Sequence, residues 1–131
     1  MTVHIDIGGE GRYPGAFNVN PVTWSSAAET FGEPIPRLVQ ARGEALPFAS
    51  GIADLITIES TPLRLGAYAE LNRVLKPGGT LQMLHPTEYA MGAGIHDAVA
   101  SAAGLELVAR STVLDGIATL STLRRALNAI R

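Results

Sequence analysis

Two side chains able to move a proton stand just past apolar, strand-like runs. Glu59 follows the run from Ala53 to Ile58 and opens the loop Glu59-Ser60-Thr61-Pro62; His85 follows the run from Thr80 to Leu84 and precedes Pro86. Parallel sheets bind ligands beyond the carboxyl ends of their strands, so either residue is placed to deprotonate or orient a substrate. Each also has a plainer reading, Glu59 as a hydrogen-bond partner of its own loop and His85 as a ring packed on Pro86. Tyr89 is a weaker third candidate. Gly8 to Gly15 is a glycine-rich turn after a first apolar run, Val3 to Ile7. Glycine lets backbone amides come close to a ligand, although a tight turn needs the same residues. His4 lies inside the first run and reads as structural, and His96 reads as a surface residue in mid-helix. The three histidines have no metal-ligand spacing, and the absence of cysteine excludes disulfides, thiolate catalysis and zinc–cysteine sites.

The elements that position these residues follow from periodicity. Leu63, Ala67, Leu71, Val74 and Leu75 recur at helical spacing. Lys76 is placed to complement the helix dipole, Pro77 ends the helix, and Gly78-Gly79 turn the chain into a strand from Thr80. Strand, crossover helix and strand in this order imply a parallel α/β sheet. Ala16 to Val19 and Arg37 to Ala41 read as the second and third strands. Ser25 or Ser26 caps a short helix through Phe31, with Glu29 near the capping-box position. A helix is expected from about Thr87 to Ala103, and a helical turn from Ala126 to Arg131. Leu105 to Leu114 and Ile117 to Leu123 flank Asp115-Gly116, a strong hairpin signal.

Leu46-Pro47-Phe48, an Asp opening a strand at Asp54, and Glu70-Leu71-Asn72-Arg73-Val74-Leu75-Lys76-Pro77-Gly78-Gly79 resemble the second half of class I S-adenosylmethionine-dependent methyltransferases. The resemblance implies an α/β, three-layer Rossmann-like fold, with a mostly parallel sheet ending in an antiparallel hairpin and the N-terminal helices missing. It implies S-adenosylmethionine as cofactor, with Asp6, Gly8, Gly9 and Gly11 at its methionine end. Glu10 stands where the usual pattern has another glycine; it can bind the cofactor's amino group or crowd its carboxylate. Pro14-Gly15-Ala16-Phe17-Asn18-Val19-Asn20 follows a subgroup pattern, Pro-Gly-x-x-Asn-Val-Asp, except at its end. Asn18 belongs to that match, and Asn20 takes the place of the acid that accepts both ribose hydroxyls. Glu44 and Ala45 are the candidates for the adenine edge, and Glu44 reads equally well as a solvated loop acid. Glu59 and His85 become the candidates for catalysis. The methyl acceptor is unidentified, and the alternatives are a non-catalytic binding or scaffold subunit, or an effector domain of a larger protein.

The 131 residues suit one domain, residues 1–131, with an aliphatic core. A net charge of −2 and scattered arginines give no electrostatic reason to expect nucleic acid. There is no membrane-length apolar run and no signal-peptide pattern, so a cytoplasmic location is the default. Only Gly8 to Gly15 separates the first two strands, too little for a crossover helix. Ile5, Ile7, Val19, Leu55, Ile56, Ile58, Leu81 and Met83 read as apolar on both sheet faces. An oligomer is expected from this, most simply a homodimer, with a partner subunit covering the half-bare face beside Trp24 and Phe31.

Overall fold

The computed structural model describes residues 2–87 and 93–127. Tyr89 and residues 128–131 lie outside the described residues. Seven strands form one sheet: β1 (His4–Ile7), β2 (Phe17–Val19), β3 (Leu38–Val39), β4 (Ala53–Glu59), β5 (Leu75–Pro86), β6 (Leu105–Val113) and β7 (Ala118–Arg125). Their order is β3-β2-β1-β4-β5-β7-β6. Pairing is parallel from β3 to β5 and antiparallel from β5 through β7 to β6. The chain thus reverses direction across the sheet between β1 and β4.

Two helices, α1 (Ala67–Val74) and α2 (Ala93–Ala102), share one face of the sheet. The Tyr68 hydroxyl of α1 lies 2.9 Å from His96 Nδ1 of α2 and reaches Met83 of β5. Where a crossover helix would cover the other face, the β1–β2 connection lies instead: Arg12 and Tyr13 bond to Asp6 and Glu59. The third layer is therefore connecting chain.

Register corrects the expectation of two apolar faces. Side chains alternate along a strand, and directly paired residues share a face. Ile5 pairs with Ile56 and Ile56 with Leu81; Ile7 pairs with Ile58 and Ile58 with Met83. All of these turn toward the helices, as does Val19, paired with Ile7. Of the eight residues expected to cover both faces, only Leu55 turns the other way. The opposite face carries His4 with Leu55, Asp6 with Thr57, Thr57 with Gln82, and Thr80 with Arg124. It is a polar face, buried at Asp6 and Thr57, that also includes Leu55, Leu84 and Leu120. The run Ala53–Glu59 alternates polar and apolar from Ile56 onward, and that is the pattern of a half-solvated sheet.

Three local expectations are also revised. The Ser25-to-Phe31 helix shrinks to a 3₁₀ turn at Ala28–Thr30 with no side-chain cap of its own. α1 ends at Val74, and Leu75 already pairs with Ala53 before Thr80 pairs with Leu55. Residues 76–79 thus oppose the single residue Asp54, three more than a regular ladder needs, and form its irregularity. Lys76 accordingly lies in β5, two residues past the end of α1, and pairs with Asp54 at 3.1 Å.

The linked motifs have one physical explanation. Glu70 accepts from the Leu46 amide at 2.9 Å. Arg73 donates to Glu70 at 2.6 Å, to the Leu46 and Phe48 carbonyls at 2.9 Å each, and to Ser50 at 3.1 Å. The Leu-Pro-Phe loop is pinned to α1 by the charged pair of the Glu-Leu-x-Arg motif. Arg73→Ala should cost about 1–2 kcal/mol, the worth of a few part-exposed charge-assisted hydrogen bonds. The thermal midpoint should drop by about 4–8 °C, and Arg73→Lys should recover little of it, lacking the guanidinium fork.

Candidate active site

The carboxyl ends of β1, β2 and β4 converge on the turn that starts at Gly8. Gly8 donates to the Val19 carbonyl at 2.7 Å and has φ +74°, a conformation costly for any side chain. A Cβ there would overlap the Thr61 side chain, and one on Gly9 would overlap Asn18 and Asp6. The turn is packed directly on its neighbours, so it needs glycine at both places.

Asp6 lies beneath the turn, fully buried. Its Oδ1 accepts from Arg12 at 2.9 Å and from the Thr57 hydroxyl at 2.9 Å. The one hydroxyl hydrogen of Thr57 is used there. His4 Nε2, 2.9 Å from Thr57 Oγ1, is therefore the donor in that contact. Among the described residues, Asp6 Oδ2 and Asn18 Oδ1 have no hydrogen-bond partner. Asn18 donates through its amide to the Pro36 carbonyl at 2.7 Å.

Several residues expected to touch a cofactor are engaged within the protein. Glu10 accepts from the Ser26 and Ala27 amides at 3.0 and 3.1 Å, from Ser25 Oγ at 3.2 Å and from Ser26 Oγ at 2.7 Å. Burial raises its pKa, but these bonds outweigh it and hold the carboxyl below its ordinary value. Glu10 thus anchors the two residues that lead into the 3₁₀ turn. The Asn20 amide donates to the Gly9 carbonyl at 3.3 Å, and its oxygen accepts from the Val22 amide at 3.2 Å. It latches the turn to β2. The Ala45 amide is taken by the Arg42 carbonyl at 3.1 Å, and Glu44 lies 3.5 Å from Arg64 at the surface.

The expected catalytic pair is separated by the sheet. Glu59 pairs with Leu84, so His85, the next residue, turns to the other face. Glu59 lies on the open face, hydrogen-bonded to the Tyr13 hydroxyl and 3.6 Å from Arg12. Burial, then the bond to Glu59, pushes Tyr13 up to about 12. Glu59 anchors the β1–β2 connection and does not share a cleft with His85. His85 lines a cavity of about 560 Å³ on the helix face, together with Tyr68, His96, Asp97 and Arg110. Its Nε2 lies 3.1 Å from the Thr61 carbonyl. A carbonyl only accepts, so Nε2 holds the proton and Nδ1 the lone pair.

Sequence reasoning did not single out Tyr68, Asp97 or Arg110, and it placed His96 at the surface. Arg110 forks onto Asp97 at 2.8 and 2.9 Å and donates to Ser121 at 2.9 Å. Burial, then the charge of Asp97, raises Tyr68 to about 12, with Arg110 opposing. The available signal was Tyr68 on the apolar row of α1 with Leu71.

A parallel sheet that reverses beside its central strand, with a glycine-rich turn at that point, defines a Rossmann-like nucleotide-binding domain. A sequence model of the methyltransferase domain family matches residues 16–83, just over half of the chain. The chain belongs to the methyltransferase domain family; the methyl donor implied by the sequence resemblance is S-adenosylmethionine. The matched span starts beyond the glycine-rich turn and ends before His85. A comparison with curated protein sequences gives no match.

Solved structures share the fold. The 16S rRNA (adenine(1408)-N(1))-methyltransferase of Catenulisporales acidiphilia, a mutant with cosubstrate SAM, is 18% identical with a TM-score of 0.68, covering 99% of this chain and 87% of that one. The antibiotic-resistance methyltransferase Kmr is 21% identical with a TM-score of 0.65, covering 95% and 87%. A complex of the Haloferax volcanii Trm112 methyltransferase activator with a methyltransferase matches at 14% identity and a TM-score of 0.74, covering 99% and 84%. No helix among the described residues is long and apolar enough to cross a membrane.

The turn fits a donor of this kind. Asp6, Glu10 and Glu59 surround it with one guanidinium, Arg12, among them, and two buried acceptor atoms beneath it lack donors. That excess of negative charge suits a ligand carrying a sulfonium and an ammonium.

The lowered His4 pKa yields a pH prediction. Burial lowers it from 6.5, and Asp6 opposes the shift. A lowered folded value means stability present above 6.5 and lost as pH falls through that value. Thermal melts should therefore weaken from about pH 7 to 5, and His4→Phe should flatten that slope.

Proposed function

We propose that Asp6, Gly8, Gly9, Gly11 and Asn18 form the floor of the methionine end of the S-adenosylmethionine site, with Glu44 and Ala45 near the adenine. S-Adenosylmethionine supplies an activated methyl group; the chain's own part is to hold and orient it against an acceptor. The observation that carries this reading is the glycine-rich turn seated on the unpartnered acceptors Asp6 Oδ2 and Asn18 Oδ1, in a chain of this family. The Catenulisporales acidiphilia enzyme, crystallised with SAM, supports it. Asn20 acts here through the turn it holds and not through the ribose.

A second reading, a non-catalytic scaffold subunit, is favoured by one observation: the Glu10 and Asn20 side chains are spent on internal bonds. Calorimetric titration with S-adenosylmethionine and S-adenosylhomocysteine separates the two. Binding at micromolar to sub-millimolar concentration is expected, and no heat at millimolar ligand would leave only the scaffold. The Catenulisporales acidiphilia neighbour is a 16S rRNA methyltransferase, but a net charge of −2 does not support carrying that acceptor over. A partner subunit against the open face is part of the proposal, in keeping with the activator-bound neighbour. Its polar rows suit a wet, reversible contact.

Asn20→Asp tests the latch. It replaces the amide that donates to the Gly9 carbonyl with a second acceptor. The turn should loosen at a cost of about 1–2 kcal/mol, and S-adenosylhomocysteine should bind more weakly. Tighter binding would show that Asn20 faces the ribose after all.

A further inference from the structure

The cavity of about 560 Å³ on the helix face is of small-molecule size. It shares a wall with the glycine-rich turn. Ser60, Pro62 and Leu63 line the cavity, and the Thr61 side chain between them packs on Gly8. The Thr61 carbonyl holds His85, a second wall residue, at 3.1 Å. Ser60 has φ +53°, a strained conformation for a residue with a side chain and one that clusters at functional sites. The tetrapeptide Ser60–Leu63, at the carboxyl edge of β4, therefore borders both the glycine-rich turn and the cavity.

We propose that this cavity is the acceptor pocket and that it takes an uncharged, planar aryl or heteroaryl molecule bearing a hydroxyl, with His85 as its base. The inference rests on the methyl-transfer reading above. Flatness follows from walls made of rings and short apolar groups: Tyr68, His85 and His96 with Pro62, Met83 and Pro86. Absence of charge follows from Asp97 and Arg110, the charged pair of the lining, which neutralise each other through two bonds of 2.8 and 2.9 Å. The hydroxyl follows from His85, whose Nδ1 carries a lone pair once Nε2 is committed to Thr61. In the reaction the acceptor oxygen bonds to the donor's methyl carbon as the carbon–sulfur bond breaks. The products are an aryl methyl ether and S-adenosylhomocysteine. The hydroxyl proton passes to His85 Nδ1 and then to water. The chain's negative charge favours a free molecule over a nucleic acid as the source of the ring.

The test uses fluorine NMR of 4-fluorophenol and 4-fluoroanisole with the S-adenosylhomocysteine complex. The phenol should bind about tenfold more tightly than the ether, one hydrogen bond's worth. His85→Phe should abolish that preference. Pro62→Trp, at an exposed wall position, should abolish phenol binding while leaving S-adenosylhomocysteine binding intact; Leu63→Trp serves if that variant is unfolded by circular dichroism. If S-adenosylhomocysteine binds and the phenol does not, the pocket assignment falls and the methyl-transfer reading stands. If neither binds, both fall. Phenol binding without S-adenosylhomocysteine binding would overturn the acceptor role. Phenol binding that survives both tryptophan variants would overturn the location. A preference that persists in His85→Phe would remove His85 as the base. Displacement of the phenol by a short single-stranded RNA would make a nucleic-acid base the acceptor and overturn the small-molecule assignment.

Discussion

A carboxylate with no exposed surface must be matched by donors, or the cost of its desolvation unfolds the region around it. Asp6 is such a group. Its charge sits on the open face of β1, where a crossover helix would ordinarily provide cover. Arg12 reaches it only because the β1–β2 connection folds back over the sheet, and Tyr13 extends the same cover to Glu59. The path of the glycine-rich turn is then constrained at both ends, by β1 before it and by the Arg12 clasp after it. Asn20 and Glu10 add two further ties, to β2 and to the 3₁₀ turn. The site is thus preorganised by internal polar bonds in place of a packed helix.

The succession of strands along the chain and the hairpin were legible because their signals are local and periodic: apolar runs, Asp115-Gly116, and the Glu70–Arg73 motif with its Leu-Pro-Phe partner. The two-faced sheet was also present in the sequence, in the alternation of Ile56, Thr57, Ile58 and Glu59. Reading that run by its apolar content alone hid it. What the sequence does not carry is partnership across distance. Glu10 looks like a cofactor contact until its oxygens are seen to receive the Ser26 and Ala27 amides, sixteen and seventeen residues away. Glu59 and His85 look like a pair because both end strands. Their separation depends on the pairing of Glu59 with Leu84, a one-residue question of register that no composition argument reaches.

The helix side of the sheet follows a different logic. There Ile5, Ile7, Ile56, Ile58 and Leu81 pack under α1, and the polar groups that intrude, Tyr68, His96, Asp97 and Arg110, bond chiefly to one another. Such a network fixes the relative placement of α1, α2 and β6 more sharply than aliphatic packing alone would. It also lines a hollow where the core would otherwise close.

The opposed faces set a rule for how this chain can vary over generations. Exchanging one side chain for another within a face changes one contact. Inserting or deleting a single codon inside β4 or β5 would do something else, since every residue beyond the change would swap its oily surroundings for wet ones, and His85 would trade places with the Glu59 side. Length changes in descendants of this gene should therefore collect in the connections, at sites such as the open stretches around Gly15, Gly32 and Gly51, where a larger residue's Cβ would meet nothing within 4 Å.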